Sequence, residues 1–188
     1  MALANQQWRP ISVYEMVCEF LRSERHKFPG ERLTYIDAPH LHDPLANHAR
    51  LRMLYRIRAG LIGEVPPDTQ WFNVEVLSEN ELGELLVIGR CGWDDDAKDS
   101  NELLKVAIRK PQKLTKPFQS WPKLILWGHD RTGPFTILEG NNRLTAYVST
   151  ACGSGLRIPV IVGLSPTPCA WHKPDPAMIL CNDLWKSS

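Results

Sequence analysis

A carboxylate, a glycine, two amides and an arginine stand together in the stretch "ILEGNNRLTAYV". An apolar run typical of a strand leads into Glu139, and a helical pattern follows Asn141 and Asn142. A helix that begins here directs its first, unpaired N–H groups beyond its N-terminus, where the helix dipole favours negative charge. Gly140 has no Cβ to prevent close approach, and Arg143 adds a guanidinium suited to phosphate. The junction is therefore a candidate phosphate site.

Glu139 adds a second kind of chemistry, because a carboxylate at a strand end can hold a metal ion or orient a water molecule. A different interpretation explains the same residues without a ligand. In it, Asn142 caps the helix and Arg143 pairs with Glu139. The glycine-rich phosphate loop GxxxxGK[ST] is absent, so the residues alone leave the two interpretations equally open.

Basic residues suited to a DNA backbone occur in two places. One set falls within nine residues of a predicted helix, and the other lies in a loop beside Phe118 and Trp121: Arg50, Arg52, Arg56 and Arg58, then Lys113 and Lys116. The net charge is only +1, so DNA binding must rest on such local patches and have little sequence specificity. A solvated helix face that pairs with scattered acids is the competing explanation for the arginines.

Length and composition are those of an ordinary globular protein. The 188 residues suffice for one domain, divided into an N-terminal helical part (1–65), a core with the junction (66–165) and a C-terminal segment (166–188). Five cysteines without a CxxC pair indicate reduced, mostly buried thiols. No apolar run is long enough for a transmembrane helix, and the N-terminus lacks a signal-peptide pattern, so we expect a cytoplasmic protein.

Local patterns predict an α+β fold with a small mixed sheet flanked by helices. Ser12 and Glu15 form a capping box before one helix, and Asp43-Pro44 starts a second that Gly60 ends. A short strand is expected at Leu33–Ile36. Further strands are predicted in four runs, of which the middle two form a hairpin around "HDRTGP": "WFNVEVL", "KLILWG", "FTILEG" and "RIPVIVGL".

The order of strand, G-x-x-R, helix and short apolar strand resembles the ParB/sulfiredoxin superfamily. ParB proteins carry a G-E-R-R type box at this junction and sulfiredoxins carry G-C-H-R, whereas this chain has Gly140-Asn141-Asn142-Arg143. The downstream "IPVIVG" is similar to the strand that follows the box. Asn141 replaces the sulfiredoxin cysteine, so a thiosulfinate intermediate is excluded. The box has also lost the charges that ParB proteins carry at Asn141 and Asn142.

The resemblance implies a nucleotide at the box, ATP or a related one, with Mg²⁺. Within the superfamily, the plasmid fertility-inhibition branch is associated with ATPase and DNase activity that suppresses plasmid or T-DNA transfer. On that basis Glu139 and Arg143 are expected to be catalytic, Glu139 to bind metal, and Gly140 through Arg143 to bind the nucleotide. The alternative is a non-catalytic module that blocks a component of the conjugative transfer machinery, associated peripherally with the inner-membrane apparatus.

Overall fold

The computed structural model describes residues 6–37, 40–77, 85–87, 121–141, 143–144, 158–169 and 172. The predicted DNA contacts Lys113 and Lys116 lie outside these residues, as does Asn142 at the junction. The described part is α+β, as the sequence predicts, with three helices and a mixed sheet. None of its helices combines the length and apolar content needed to cross a membrane.

Both predicted helix starts are confirmed by their caps. Helix α1 spans Val13–Ser23, and the Ser12 side chain accepts from the Glu15 N–H while the Glu15 carboxylate accepts from the Ser12 N–H. Helix α3 spans Pro44–Ile62, and Asp43 accepts from the N–H groups of its first turn. It has a kink at Arg58 and ends at Ile62, two residues past Gly60.

The predicted strand at Leu33–Ile36 is wrong, since these residues belong to helix α2, Gly30–Asp37. A 3₁₀ turn over Arg25–Lys27 connects α1 to this region. Ile36 is fully buried against α1 and α3, and Leu33, three residues earlier, packs on the same cluster. A spacing of three residues puts both side chains on one face of a helix, so packing against the neighbouring helices overrides the β-branched residues of this segment.

Six strands form one sheet in the order β1-β2-β6-β4-β5-β3. Their bounds are β1 Trp8–Ile11, β2 Gln70–Leu77, β3 Leu85–Val87, β4 Leu124–Gly128, β5 Phe135–Glu139 and β6 Ile158–Leu164. Strands β4 and β5 make the predicted antiparallel hairpin, while β4 pairs with β6 and β3 with β5 in parallel. The sheet is therefore mixed, and β4 lies at its centre.

Strand side chains alternate between two apolar layers. Ile125, Trp127 and Ile161 face the three helices, where they join Phe20, Leu54 and other helical residues in one core. Leu124, Leu126 and Val162 face the other way and pack with Ile137 and Leu144. Cys18 and Cys169, the two described cysteines, are buried and not joined in a disulfide, as expected for reduced thiols.

Arg50 was predicted to contact DNA, and that prediction is wrong because the residue is fully buried. Its guanidinium donates to the backbone carbonyls of Tyr35 and His40 at 2.7 and 3.2 Å and to Asn47 Oδ1 at 2.6 Å. Arg50 thereby ties the end of α2 and the following loop to α3. Its neighbours Arg52 and Arg56 are exposed on the other side of α3.

Arg50→Ala should lower the free energy of unfolding by about 3–5 kcal/mol, because it leaves the carbonyls of Tyr35 and His40 without their buried donor. Arg52→Ala on the exposed face of α3 is the matched control, with an expected change within about 0.5 kcal/mol. Urea unfolding followed by circular dichroism measures both. Equal stability of the two variants would contradict the structural role of Arg50.

Candidate active site

An extra residue in β5 determines where Glu139 points. Trp127 pairs with Thr136 and Leu126 with Ile137, but Ile125 pairs with Glu139, so Leu138 is inserted without its own partner. Strict alternation would put Glu139 on the same side as Ile137. The bulge instead places it opposite Ile125, on the side covered by the helices.

Gly140 allows the chain to turn from this strand into a helix. Its φ is +117°, in the region that L side chains rarely adopt. A Cβ on Gly140 would overlap the Leu124 side chain and come within 3.0 Å of an Arg143 nitrogen. The Leu144 N–H donates to the Gly140 carbonyl at 2.8 Å, and Asn141, Arg143 and Leu144 are helical. The predicted strand–glycine–helix junction is therefore present.

Two guanidiniums flank the Glu139 carboxylate. An Arg143 nitrogen lies 3.6 Å from one Glu139 oxygen, and an Arg58 nitrogen lies 3.8 Å from the other. Both distances exceed that of a normal hydrogen bond, so the carboxylate is held by charge more than by directed bonds. Burial raises the pKa of Glu139, and the guanidiniums only partly oppose that effect. The result is a partly buried carboxylate of raised pKa beside two cations.

Arg143 is buried and engaged within the protein. Besides its ion pair with Glu139, its guanidinium donates to the backbone carbonyl of Lys123 at 3.3 Å. The Glu139–Arg143 pair is the one that the ligand-free interpretation of the sequence anticipated. Asn141 is partly buried at the start of the helix. The predicted nucleotide residues Gly140, Asn141 and Arg143 therefore lie together, although the Arg143 guanidinium is largely shielded from solvent.

Glu24 and Lys27 complete the cluster, and sequence reasoning missed both. Glu24 is the residue that ends α1, and its carboxylate pairs with Lys27 at 2.6 Å and with the same Arg58 nitrogen that approaches Glu139. The Glu24–Lys27 spacing of three residues is visible in the sequence and typical of a helical ion pair. Nothing local, however, connects Glu24 to a strand end more than a hundred residues later. We call these five residues the junction cluster: Glu24, Lys27, Arg58, Glu139 and Arg143.

The four arginines of α3 do not form the single surface that their spacing suggests. Arg50 is in the core, Arg52 and Arg56 face solvent, and Arg58 reaches the junction cluster. Only Arg52 and Arg56 remain as exposed candidates for a DNA backbone in this helix. Lys123, the last lysine of the lysine-rich stretch of sequence, donates to Asn73 Oδ1 at 2.5 Å.

The carboxylates of the junction cluster fit Mg²⁺ chemistry in one respect. Magnesium is commonly held by one or two carboxylates together with substrate phosphates. Glu24 and Glu139 approach the same Arg58 nitrogen from two sides, so they are the described pair that could share a cation. No group of three or more histidine, cysteine or acidic side chains suited to a metal occurs in the described ranges.

A second polar cluster lies at the opposite end of the hairpin. His172 is buried, bonds Thr136 Oγ1 through Nδ1 at 2.7 Å, and packs against Trp127 and His129. Burial lowers the pKa of His172 to about 4, so it is neutral near pH 7. Ser165 lies nearby, but its hydroxyl donates to Asp68 and its carbonyl bonds the His129 ring. The histidine does not face the serine hydroxyl, so this is not a nucleophilic triad.

A cavity in the described part of the chain lies away from the junction. It has a volume of about 560 Å³ and a mainly apolar lining from α1, α3, β1 and β2, including Met16, Tyr55 and Trp71. No member of the junction cluster lines it. The cavity and the cluster of charged side chains therefore lie in different places. We take the junction as the candidate active site because its charged groups converge there.

Comparison of the chain with protein-family models, with curated proteins and with solved structures found no match in any of the three. Functional assignment therefore depends on the geometry of the junction cluster and on the resemblance of the box residues.

Gly140→Ala should destabilise the protein by roughly 3 kcal/mol, because the left-handed backbone disfavours a side chain and the new methyl overlaps Leu124. Gly30→Ala in α2 is the control, since a Cβ at Gly30 meets nothing within 4 Å. Thermal unfolding measures the difference. Gly140→Ala as stable as Gly30→Ala would show that the junction does not need this conformation.

Proposed function

We propose that this protein is a nucleotide hydrolase of the ParB/sulfiredoxin type, using ATP and Mg²⁺, with a metal-dependent DNase activity that suppresses plasmid or T-DNA transfer. The observation that carries the proposal is Glu139, a partly buried carboxylate of raised pKa placed between two guanidiniums at a strand–glycine–helix junction. Within the superfamily, the chain as a whole resembles the plasmid fertility-inhibition protein Osa. The resemblance supplies the choice of ATP and the link to DNA transfer.

Phosphoryl transfer needs positioning and charge stabilisation more than covalent chemistry from the protein. Glu139 in its ionised form accepts a proton from the attacking water, and its raised pKa brings its basicity closer to neutral pH. The water oxygen bonds to the terminal phosphorus as the bond from that phosphorus to its bridging oxygen breaks, and the nucleoside diphosphate and phosphate leave. Arg58 and Arg143 stabilise the negative charge on the phosphoryl oxygens. Mg²⁺, held by Glu139 with Glu24 beside it, would neutralise charge on the phosphates.

DNA contact is assigned to residues outside the junction cluster. Arg52 and Arg56 are exposed on α3 one turn apart, which suits neighbouring phosphates on a DNA backbone. Lys113 and Lys116 remain predicted contacts from sequence. Arg50 is no longer part of this surface, because its guanidinium is buried. We infer that binding by the remaining residues is electrostatic and has little sequence preference.

One observation favours a second candidate, a non-catalytic module that blocks a conjugation or type IV secretion component. Arg143 is buried and paired with Glu139, which is the arrangement expected if the cluster is structural. The two asparagines in the box also favour this candidate, because they offer a nucleotide no charge. In this candidate function a cytoplasmic protein associates with the inner-membrane transfer apparatus and acts by occupancy alone.

Glu139→Gln should reduce Mg²⁺-dependent ATP turnover and DNA cleavage by about 100-fold or more, because the amide cannot accept the proton. Glutamine preserves the shape of the side chain. Glu31→Gln, at an exposed position of α2, is the matched control. Phosphate release and plasmid nicking are measured with and without Mg²⁺, and circular dichroism checks the fold. Full activity in folded Glu139→Gln would show that another residue is the general base. Inactivity of the wild-type protein would favour the blocking module.

A further inference from the structure

The junction cluster has a buried floor and an accessible mouth. The side chains of Glu24 and Arg143 are 5% and 8% exposed, whereas those of Lys27 and Arg58 are each 36% exposed. An anion that arrives from solvent therefore meets Lys27 and Arg58 before it meets Arg143. The sequence directs attention to Arg143 for anion binding, but accessibility favours the two cations of the helical layer.

Charge also favours an anion at this mouth. The cluster contains three cations and two carboxylates, so it carries a formal excess of one positive charge. Partial burial weakens the solvent screening of these charges, which makes them more effective on a bound phosphate than free surface lysines are.

Arg58 reaches the mouth because α3 departs from helical geometry at this residue. Its φ and ψ are −143° and 30°, the one non-helical pair inside the described helix. The irregularity sits where the side chain leaves α3 for Glu24 and Glu139. Glu24 then holds Arg58 from α3 and Lys27 from the 3₁₀ turn through a single carboxylate. One acid thus fixes two cations from different elements side by side.

We propose that Lys27 and Arg58 form a phosphate-binding lip over Glu139, positioned by Glu24, that takes the di- or triphosphate group of a nucleotide. The inference deepens the proposed function and rests on it for the identity of the ligand. Arg58 touches the phosphoryl oxygens and is a catalytic residue, while Glu24 acts through Lys27 and Arg58 as a positioning residue. Arg143 then supports Glu139 from below.

Calorimetric titration with ATP and with inorganic pyrophosphate, in the absence of metal, tests the lip. The double variant Lys27→Ala/Arg58→Ala should bind both ligands about 100-fold more weakly than wild type, because two charge-assisted contacts are lost. The matched double variant His26→Ala/His48→Ala changes exposed residues on the same two elements and should bind normally. Arg58→Lys retains a charge and should recover part of the affinity, which a loss of fold would not allow.

The outcomes separate the lip from hydrolysis. If binding depends on Lys27 and Arg58 but the protein does not turn over ATP, the lip is supported and the proposed hydrolase activity is contradicted. Binding lost in Arg143→Ala but retained in the Lys27/Arg58 variant overturns the lip and leaves the junction site. Wild-type protein that binds neither ligand overturns both. Tighter binding in Glu24→Gln, as simple removal of a negative charge predicts, would overturn the positioning role of Glu24.

Discussion

The bulge at Leu138 is the constraint on which the candidate site depends. One inserted residue in β5 turns the last carboxylate of the strand from the outer face of the sheet to the face that carries the helices. Gly140 then reverses the backbone at once, so that Arg143 comes back against Glu139 in the next helical turn. If β5 alternated strictly, without the bulge, Glu139 would lie on the side of Phe135 and Ile137 in the outer apolar layer, away from Glu24 and Arg58.

Stability alone gives little reason to keep such a cluster. Transfer of charged groups out of water costs several kcal/mol per ion, and well-packed apolar residues are often as stable as a buried ion pair. The hairpin is already held by buried residues on both of its faces. Arg50 differs, because its hydrogen bonds satisfy backbone carbonyls that would otherwise be unpaired. We therefore infer that Arg50 serves the fold and that the junction cluster serves binding.

What could be predicted from sequence was local. The starts of α1 and α3 could be predicted from their caps, Ser12 with Glu15 and Asp43 with Pro44, because capping needs only a few neighbouring residues. The hairpin follows from two apolar runs around a glycine–proline turn. The strand–glycine–helix junction could also be read, since a carboxylate, a glycine and an arginine at that spacing are unusual in apolar surroundings.

The errors concern contacts made across the chain. The arginines of α3 look equivalent in sequence. In the fold, however, Arg50 is buried, Arg52 is exposed and Arg58 contacts Glu139 at the junction. Helix α2 was mistaken for a strand because Ile36 is stabilised by its neighbours rather than by local propensity. Glu24 could not be identified, since only the fold brings the end of α1 to the end of β5. A bulge has no residue signature in this strand, so the orientation of Glu139 was equally hidden.

The central claim is that Glu139, its flanking cations and a phosphate anion form one electrostatic unit. The most direct measurement is an NMR titration of the ¹³C-labelled glutamate carboxyl groups, with and without pyrophosphate. The account predicts that Glu139 titrates above the ordinary glutamate value of 4.5 and that pyrophosphate raises its pKa further, because the anion offsets the cations that favour its ionised form. A Glu139 pKa at the ordinary value that pyrophosphate does not move would contradict the account.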